Sequence, residues 1–160
     1  MKTLILARHS IAENDSETGL DHDRKLSDNG KYVAKNQIIK LLSHSIQPEI
    51  LFSSDAKRAI ETATIFSHEI KLVKQIQIEN FLYSDYSTSD FLKFIATIPE
   101  SVSSAMIVAH NPSIANMAFR LSPEFNHSVQ PGTIMVFSFK NKSWNQIEVG
   151  TGKLERVLIP

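Results

Sequence analysis

The chain has 160 residues, 42% hydrophobic and 21% charged, enough to bury about two-thirds of its unfolded surface in one domain, 1–160, and unlike disordered or fibrous sequences. Seventeen basic side chains balance seventeen acidic ones, so no overall field draws it to nucleic acid or to an anionic membrane, and any anion site has to be built locally. The lack of cysteine excludes disulfide frameworks, thiolate nucleophiles and cysteine-based zinc sites.

The first apolar run, LILA at residues 4–7, reads as a strand buried on both faces, and Arg8 and His9 follow it directly. Arg8 interrupts this run before it could form a signal-peptide core, and no apolar stretch reaches spanning length, so a soluble cytoplasmic protein is expected. The stretch SIAENDSETGLDHDRKLSDNG, with Gly19 and Gly30, is polar and reads as a long surface loop, a kind of segment that commonly carries function. A helix is predicted from Asp28 to about Ser43, with Ser27 as N-cap and Val33, Ala34, Ile38, Leu41 and Leu42 on one face.

Pro48 precedes a short strand, EILFSS, after which Ser54 or Asp55 caps a helix carrying Ala59, Ala63 and Phe66. QIQIEN alternates as a third strand, TSDFLKFIATI gives a helix capped near Ser89, and SAMIVAH is a strongly apolar fourth strand. Asn111 then caps a further helix with Pro112 in its first turn. The remainder, TIMVFSFKNKSWNQIEV, reads as a hairpin turning around residues 141–143, followed by an extended segment to Pro160.

Strands alternating with helices predict a three-layer α/β domain with a mostly parallel sheet, whose ligands sit beyond the carboxyl ends of the strands. His9 and His110 each follow such an end, and Arg58 falls in the first turn of a helix that begins at another. Taken singly, each has a plain reading: a solvated strand edge, a histidine at a helix start, a surface ion pair. Together they place two guanidinium forks and two imidazoles on one rim if the strands are neighbours, and that set suits phosphoryl oxygens. No histidine pair has metal-ligand spacing, and Arg8 and Arg58 would repel a divalent cation, so no cofactor is expected. There is neither a G-x-S-x-G turn nor a glycine-rich phosphate loop. His22, His44, His68 and His127 fall in polar loops or helix ends and read as solvated.

ARHS at residues 7–10, SSDAKRAIETA at 53–63 and VAHNPSIA at 108–115 resemble three signatures of the histidine phosphatase superfamily. DHDRKLSDNGK and FLYSDYSTSDFLKFI further resemble its SixA-type phosphohistidine phosphatases. The resemblance implies a phosphoglycerate mutase-like α/β/α sandwich, with His9 as the nucleophile that becomes phosphorylated and Arg8, Arg58 and His110 holding the phosphoryl group. It also implies a role for Asp21, as a candidate acid, and for Arg24 beside it as a phosphate contact; pairing of Asp21 with Arg24 in a loop turn is the plain alternative. Ser10 and Ala109 stand where the family commonly has glycine, and neither Glu79 nor Asn80 can be given the role of the family's inserted glutamate acid. The partner implied is a protein carrying phosphohistidine, with no nucleic acid and no membrane. A phosphatase or mutase of small phosphate esters and a phosphoprotein-binding module without turnover are the other two readings.

Overall fold

A computed structural model describes residues 1–72, 75–140 and 142–160. Its first strand, β1 (Lys2–Arg8), lies inside the sheet, which is why residues 4–7 are apolar on both faces and wholly buried. The other elements are α1 (Asp28–Ser43), β2 (Ile50–Ser53), α2 (Lys57–Ile70), β3 (Gln77–Ile78), α3 (Thr88–Ile95), β4 (Ser104–Ala109), α4 (Ser113–Leu121), β5 (Ile134–Phe139) and β6 (Lys153–Leu158).

The strands form one sheet in the order β3-β2-β4-β1-β5-β6. Pairing is parallel from β3 through β2 and β4 to β1, and antiparallel from β1 to β5 and β5 to β6. Alternation along β1 divides the core between the two faces. Ile5 and Ala7 pack with Ala34, Ile38 and Leu41 of α1 and Ala59, Ala63 and Phe66 of α2. Leu4 and Leu6 face the other way, toward Phe91 and Ile95 of α3 and Ile114, Met117 and Leu121 of α4. The expected three-layer α/β/α sandwich with a mostly parallel sheet is therefore the fold.

Ser27 caps α1 as expected, its hydroxyl accepting the Gly30 N–H at 3.0 Å. Other boundaries differ. Ala56, not Ser54 or Asp55, is the N-cap of α2, while the Ser54 hydroxyl accepts the Ala56 N–H from two residues upstream. Ser87, not Ser89, caps α3, accepting the Asp90 N–H. Asn111 does not cap α4: its side-chain amide donates to the Val129 carbonyl, Pro112 takes the N-cap position, and the helix starts at Ser113.

The expected hairpin fails for a packing reason. Trp144 is fully buried and donates its indole N–H to Val102, which winds Trp144–Gln146 into a 3-10 turn instead of a strand. On the side away from β1, β5 pairs with β6, so the segment expected only as an extended tail supplies the sheet edge. Of the predicted turn, Asn141 lies outside the described residues. Within the long first loop, Asp21–Asp23 forms a 3-10 turn and Ala12 bridges Leu26. Among the described residues, no helix is long and apolar enough to cross a membrane.

Candidate active site

Because β1 and β4 are adjacent and parallel, with Arg8 in register with Ala109, His9 and His110 leave the sheet side by side. Their ring centroids are 4.8 Å apart. β2, on the other flank of β4, delivers Ser53 and Ser54 to the same rim and then starts α2, whose second residue is Arg58. Three neighbouring strand ends thus bring Arg8, His9, Arg58 and His110 together, and all but the half-buried Arg8 are less than a tenth exposed.

His9 is fixed at both nitrogens. Nδ1 lies 2.7 Å from the Ser10 carbonyl, an acceptor only, so Nδ1 carries the proton. Nε2 accepts the Arg58 Nε–H at 3.2 Å and is therefore the lone-pair nitrogen. Burial, reinforced by the charges of Arg58, Arg8 and Arg24 against the opposing Ser10 hydrogen bond, lowers the His9 pKa to about 4. Burial and then the neighbouring His9, Arg58 and Arg8 lower that of His110 to about 3. Both imidazoles are neutral at pH 7.

The surrounding frame is tied by short polar contacts. The Ser10 N–H donates to the Thr62 hydroxyl, which donates to the Arg58 carbonyl one helical turn back, locking β1's exit to α2. The Ser10 hydroxyl donates to the Gly30 carbonyl at 2.7 Å, binding the same exit to α1; the serine in this position adds a tether. Arg8 sends one guanidinium nitrogen to Val129, and its Nε is buried without a partner among the described residues.

Asp21 reaches the site from the first loop. Its carboxylate accepts from Arg24 at 2.8 Å, from Arg58 at 2.9 Å and from the Tyr83 hydroxyl at 3.1 Å, while its carbonyl takes a second Arg58 N–H. The Arg24 hydrogen bond foremost, with those of Arg58 and Tyr83 and the Arg58 charge, lowers the Asp21 pKa to about 2 against the opposing effect of burial. Asp21 is therefore ionised at neutral pH before substrate enters. Both the loop-turn pairing with Arg24 and contact with the pocket occur, since Asp21 links Arg24 to Arg58. Arg24 is anchored by Asp21 and the Glu13 carbonyl, close enough for its charge to act on His9.

Sequence reasoning missed three neighbours. Tyr83, just after a 3-10 turn at Asn80–Leu82, stands edge-on to His110 and 6.0 Å from the Arg58 guanidinium carbon. His22, expected to be a solvated loop residue, is half-buried against Tyr83 and lies 3.2 Å from Asp55. Ser54 is fully buried against His110. All three fall inside stretches that carry the family resemblance, but Ser54 reaches the site from a strand end, whereas Tyr83 and His22 arrive through loop geometry. Glu79 lines a separate cavity of about 410 Å³ with Phe81, Asp85 and Phe94. Another cavity, about 560 Å³, is lined by Glu13, Asp15, Glu17 and Asp23 with one lysine, the wrong charge for phosphate. Among the described residues, no group of three or more histidines and carboxylates could hold a metal ion.

The model of the histidine phosphatase superfamily, branch 1, matches residues 4–102, more than half of the chain, and the protein belongs to that superfamily. Solved structures of the same fold include a Nakamurella multipartitia protein assigned as the phosphohistidine phosphatase SixA, 23% identical with a TM-score of 0.84, over 99% of this chain and 96% of that one. A protein histidine phosphatase SixA in complex with tungstate is 17% identical, also at 0.84, over 98% and 96%. An Agrobacterium tumefaciens protein assigned as SixA is 21% identical at 0.83, over 99% and 98%. No curated protein matches the chain by sequence.

Proposed function

We propose that the protein is a phosphohistidine phosphatase that works through a covalent phosphohistidine on its own His9. The observation carrying this reading is the state of His9: neutral, fixed in orientation, and presenting the Nε2 lone pair among cationic donors. As the Arg58 Nε–H turns from Nε2 to a phosphoryl oxygen, the freed Nε2 lone pair attacks phosphorus and the bond to the leaving group breaks. Arg8 and Arg58 neutralise charge on the phosphoryl oxygens, and His110 adds a neutral donor. Water then attacks the phosphorus held by Nε2, inorganic phosphate leaves, and His9 is regenerated. The metal-like share of charge neutralisation falls to the arginines, so the reaction proceeds without a metal and is blocked by vanadate.

An ionised Asp21 bears on the substrate class. An alkoxide leaving group calls for a positioned acid, whereas an imidazole, with an ordinary pKa of about 6.5, leaves with less help. The site therefore suits phosphorus bound to nitrogen, carried by a protein partner, and likeness in fold to the SixA structures supports the same class. Arg24 is the outermost phosphate contact. The test is parallel hydrolysis of a phosphohistidine-bearing protein and a panel of small phosphate esters, with EDTA and vanadate arms. Preferential, EDTA-resistant, vanadate-sensitive turnover of the phosphohistidine protein is expected. Faster ester turnover would make this a small-ester enzyme, and binding without turnover would make it a phosphoprotein-binding module.

A further inference from the structure

The geometry points to Ser54 as a positioning residue that holds His110 in its Nδ1–H form and so reserves that N–H for a phosphoryl oxygen. Ser54 is fully buried, so each of its polar atoms has to be paired inside the protein. Its hydroxyl oxygen already accepts the Ala56 N–H at 3.2 Å, and the acceptor beside its single proton is His110 Nε2, at 2.8 Å. If Nε2 were instead the donor, the Ser54 oxygen would accept twice and its own proton would be orphaned in the interior, a loss of the kind proteins avoid. Ser54 therefore donates, Nε2 accepts, and the imidazole proton of neutral His110 resides on Nδ1.

Nδ1 is itself buried with no partner among the described residues, on a ring packed against His9. The donor that Ser54 creates is thus left for an incoming acceptor. The two site histidines are set in the same tautomer by different means: His9 by the carbonyl of Ser10 on Nδ1, His110 by the hydroxyl of Ser54 on Nε2. The position of Ser54 also explains its displacement from the capping role, since one hydroxyl serves both the start of α2, through Ala56, and the imidazole on β4's exit. The ligand half of this inference rests on the phosphoryl-site reading; the tautomer does not.

The test is a long-range ¹H–¹⁵N correlation spectrum of the whole protein at pH 7, with His110 assigned by the signals lost in His110→Gln. The expected pattern is a protonated Nδ1 and an unprotonated Nε2. At inorganic phosphate concentrations that move the His9 resonances, the His110 Nδ1 resonance moves as well. Ser54→Ala is expected to lower kcat about tenfold or more with KM changed less than about threefold, and Ser54→Thr, which keeps the hydroxyl, to recover most of the loss. An Nε2–H form in the unmodified protein, rapid exchange between tautomers, or an Nδ1 signal indifferent to phosphate that moves His9 would overturn the assignment. Because the wild-type spectrum needs no turnover, failure of every phosphatase assay would refute the function while leaving the tautomer decided.

Discussion

Asp21 illustrates how one side chain's chemistry depends on its neighbours. In sequence it is a loop aspartate three residues from an arginine; in the fold it joins Arg24, Arg58 and Tyr83, which stabilise its charged form. Two guanidinium nitrogens of Arg58 are committed to Asp21, one to its carbonyl and one to its carboxylate, so an incoming phosphoryl group competes with an internal anion for that fork. Asp21→Asn removes the competing charge and is expected to tighten inhibition by inorganic phosphate several-fold, about threefold to tenfold, in steady-state assays. Weaker phosphate inhibition would mean that Asp21 serves chiefly to orient Arg58. A loss confined to phosphate-ester substrates would restore it as a proton donor. Arg8, His9, Arg58 and His110 were legible because each stands at a strand end or in the first turn of a helix. The states of Asp21, Tyr83 and His22 were not, because those depend on where a polar loop folds back.

At the scale of elements, the junction between β1's exit and the start of α1 sets the nucleophile's position. A Cβ on Gly30 would stand 1.9 Å from the Ile11 carbonyl oxygen, so only glycine permits α1 to approach this closely, and its carbonyl receives the Ser10 hydroxyl. Gly30→Ala has to move backbone rather than a flexible side chain and is expected to cost more than about 2 kcal/mol in denaturant unfolding, with activity falling as His9 is displaced. Gly19→Ala is the control: its φ of +74° is strained for alanine, but among the described residues nothing lies within 4 Å of an added Cβ, so a loss near 1 kcal/mol with activity intact is expected. Equal losses at the two positions would remove the argument from close approach. The helices themselves were readable from their periodicity, but their caps were less so. Wherever several serines or an asparagine crowd a helix start, tertiary partners choose among them, as Val129 does for Asn111 and His110 for Ser54. The Trp144 turn was hidden for a related reason, since burial of one large side chain outweighs local alternation.

For the whole molecule, the order β2-β4-β1 is what converts three weak local signals into a site, and no single stretch of sequence encodes it. Alternating strands and helices indicated the class of sheet; adjacency of β1 and β4 comes from tertiary pairing. Assembly of this site has a thermodynamic consequence. In the folded protein His9 and His110 resist protonation until about pH 4 and about pH 3, whereas in the unfolded chain both titrate near 6.5. As pH falls below 6.5 the unfolded state takes up protons that the folded state cannot, so these residues make stability decline with falling pH. Asp21, ionised in the fold down to about pH 2, adds to the decline below about pH 4. In phosphate-free buffer the Tm is expected to drop between pH 6.5 and 4, by about 2–4 °C for each kcal/mol lost, and His9→Ala is expected to show a shallower drop. An unchanged slope in that variant would indicate that His9 is not held neutral by the fold.

The claim on which the functional account turns is that phosphorus is carried on Nε2 of His9. The most direct measurement is rapid quenching of the enzyme with ³²P-labelled phosphohistidine protein under conditions that avoid acid, followed by peptide mapping of the label. Label on His9, lost on chase and absent in a folded His9→Ala variant that has no turnover, is the predicted result. Label on His110, or full turnover in His9→Ala, would contradict the account.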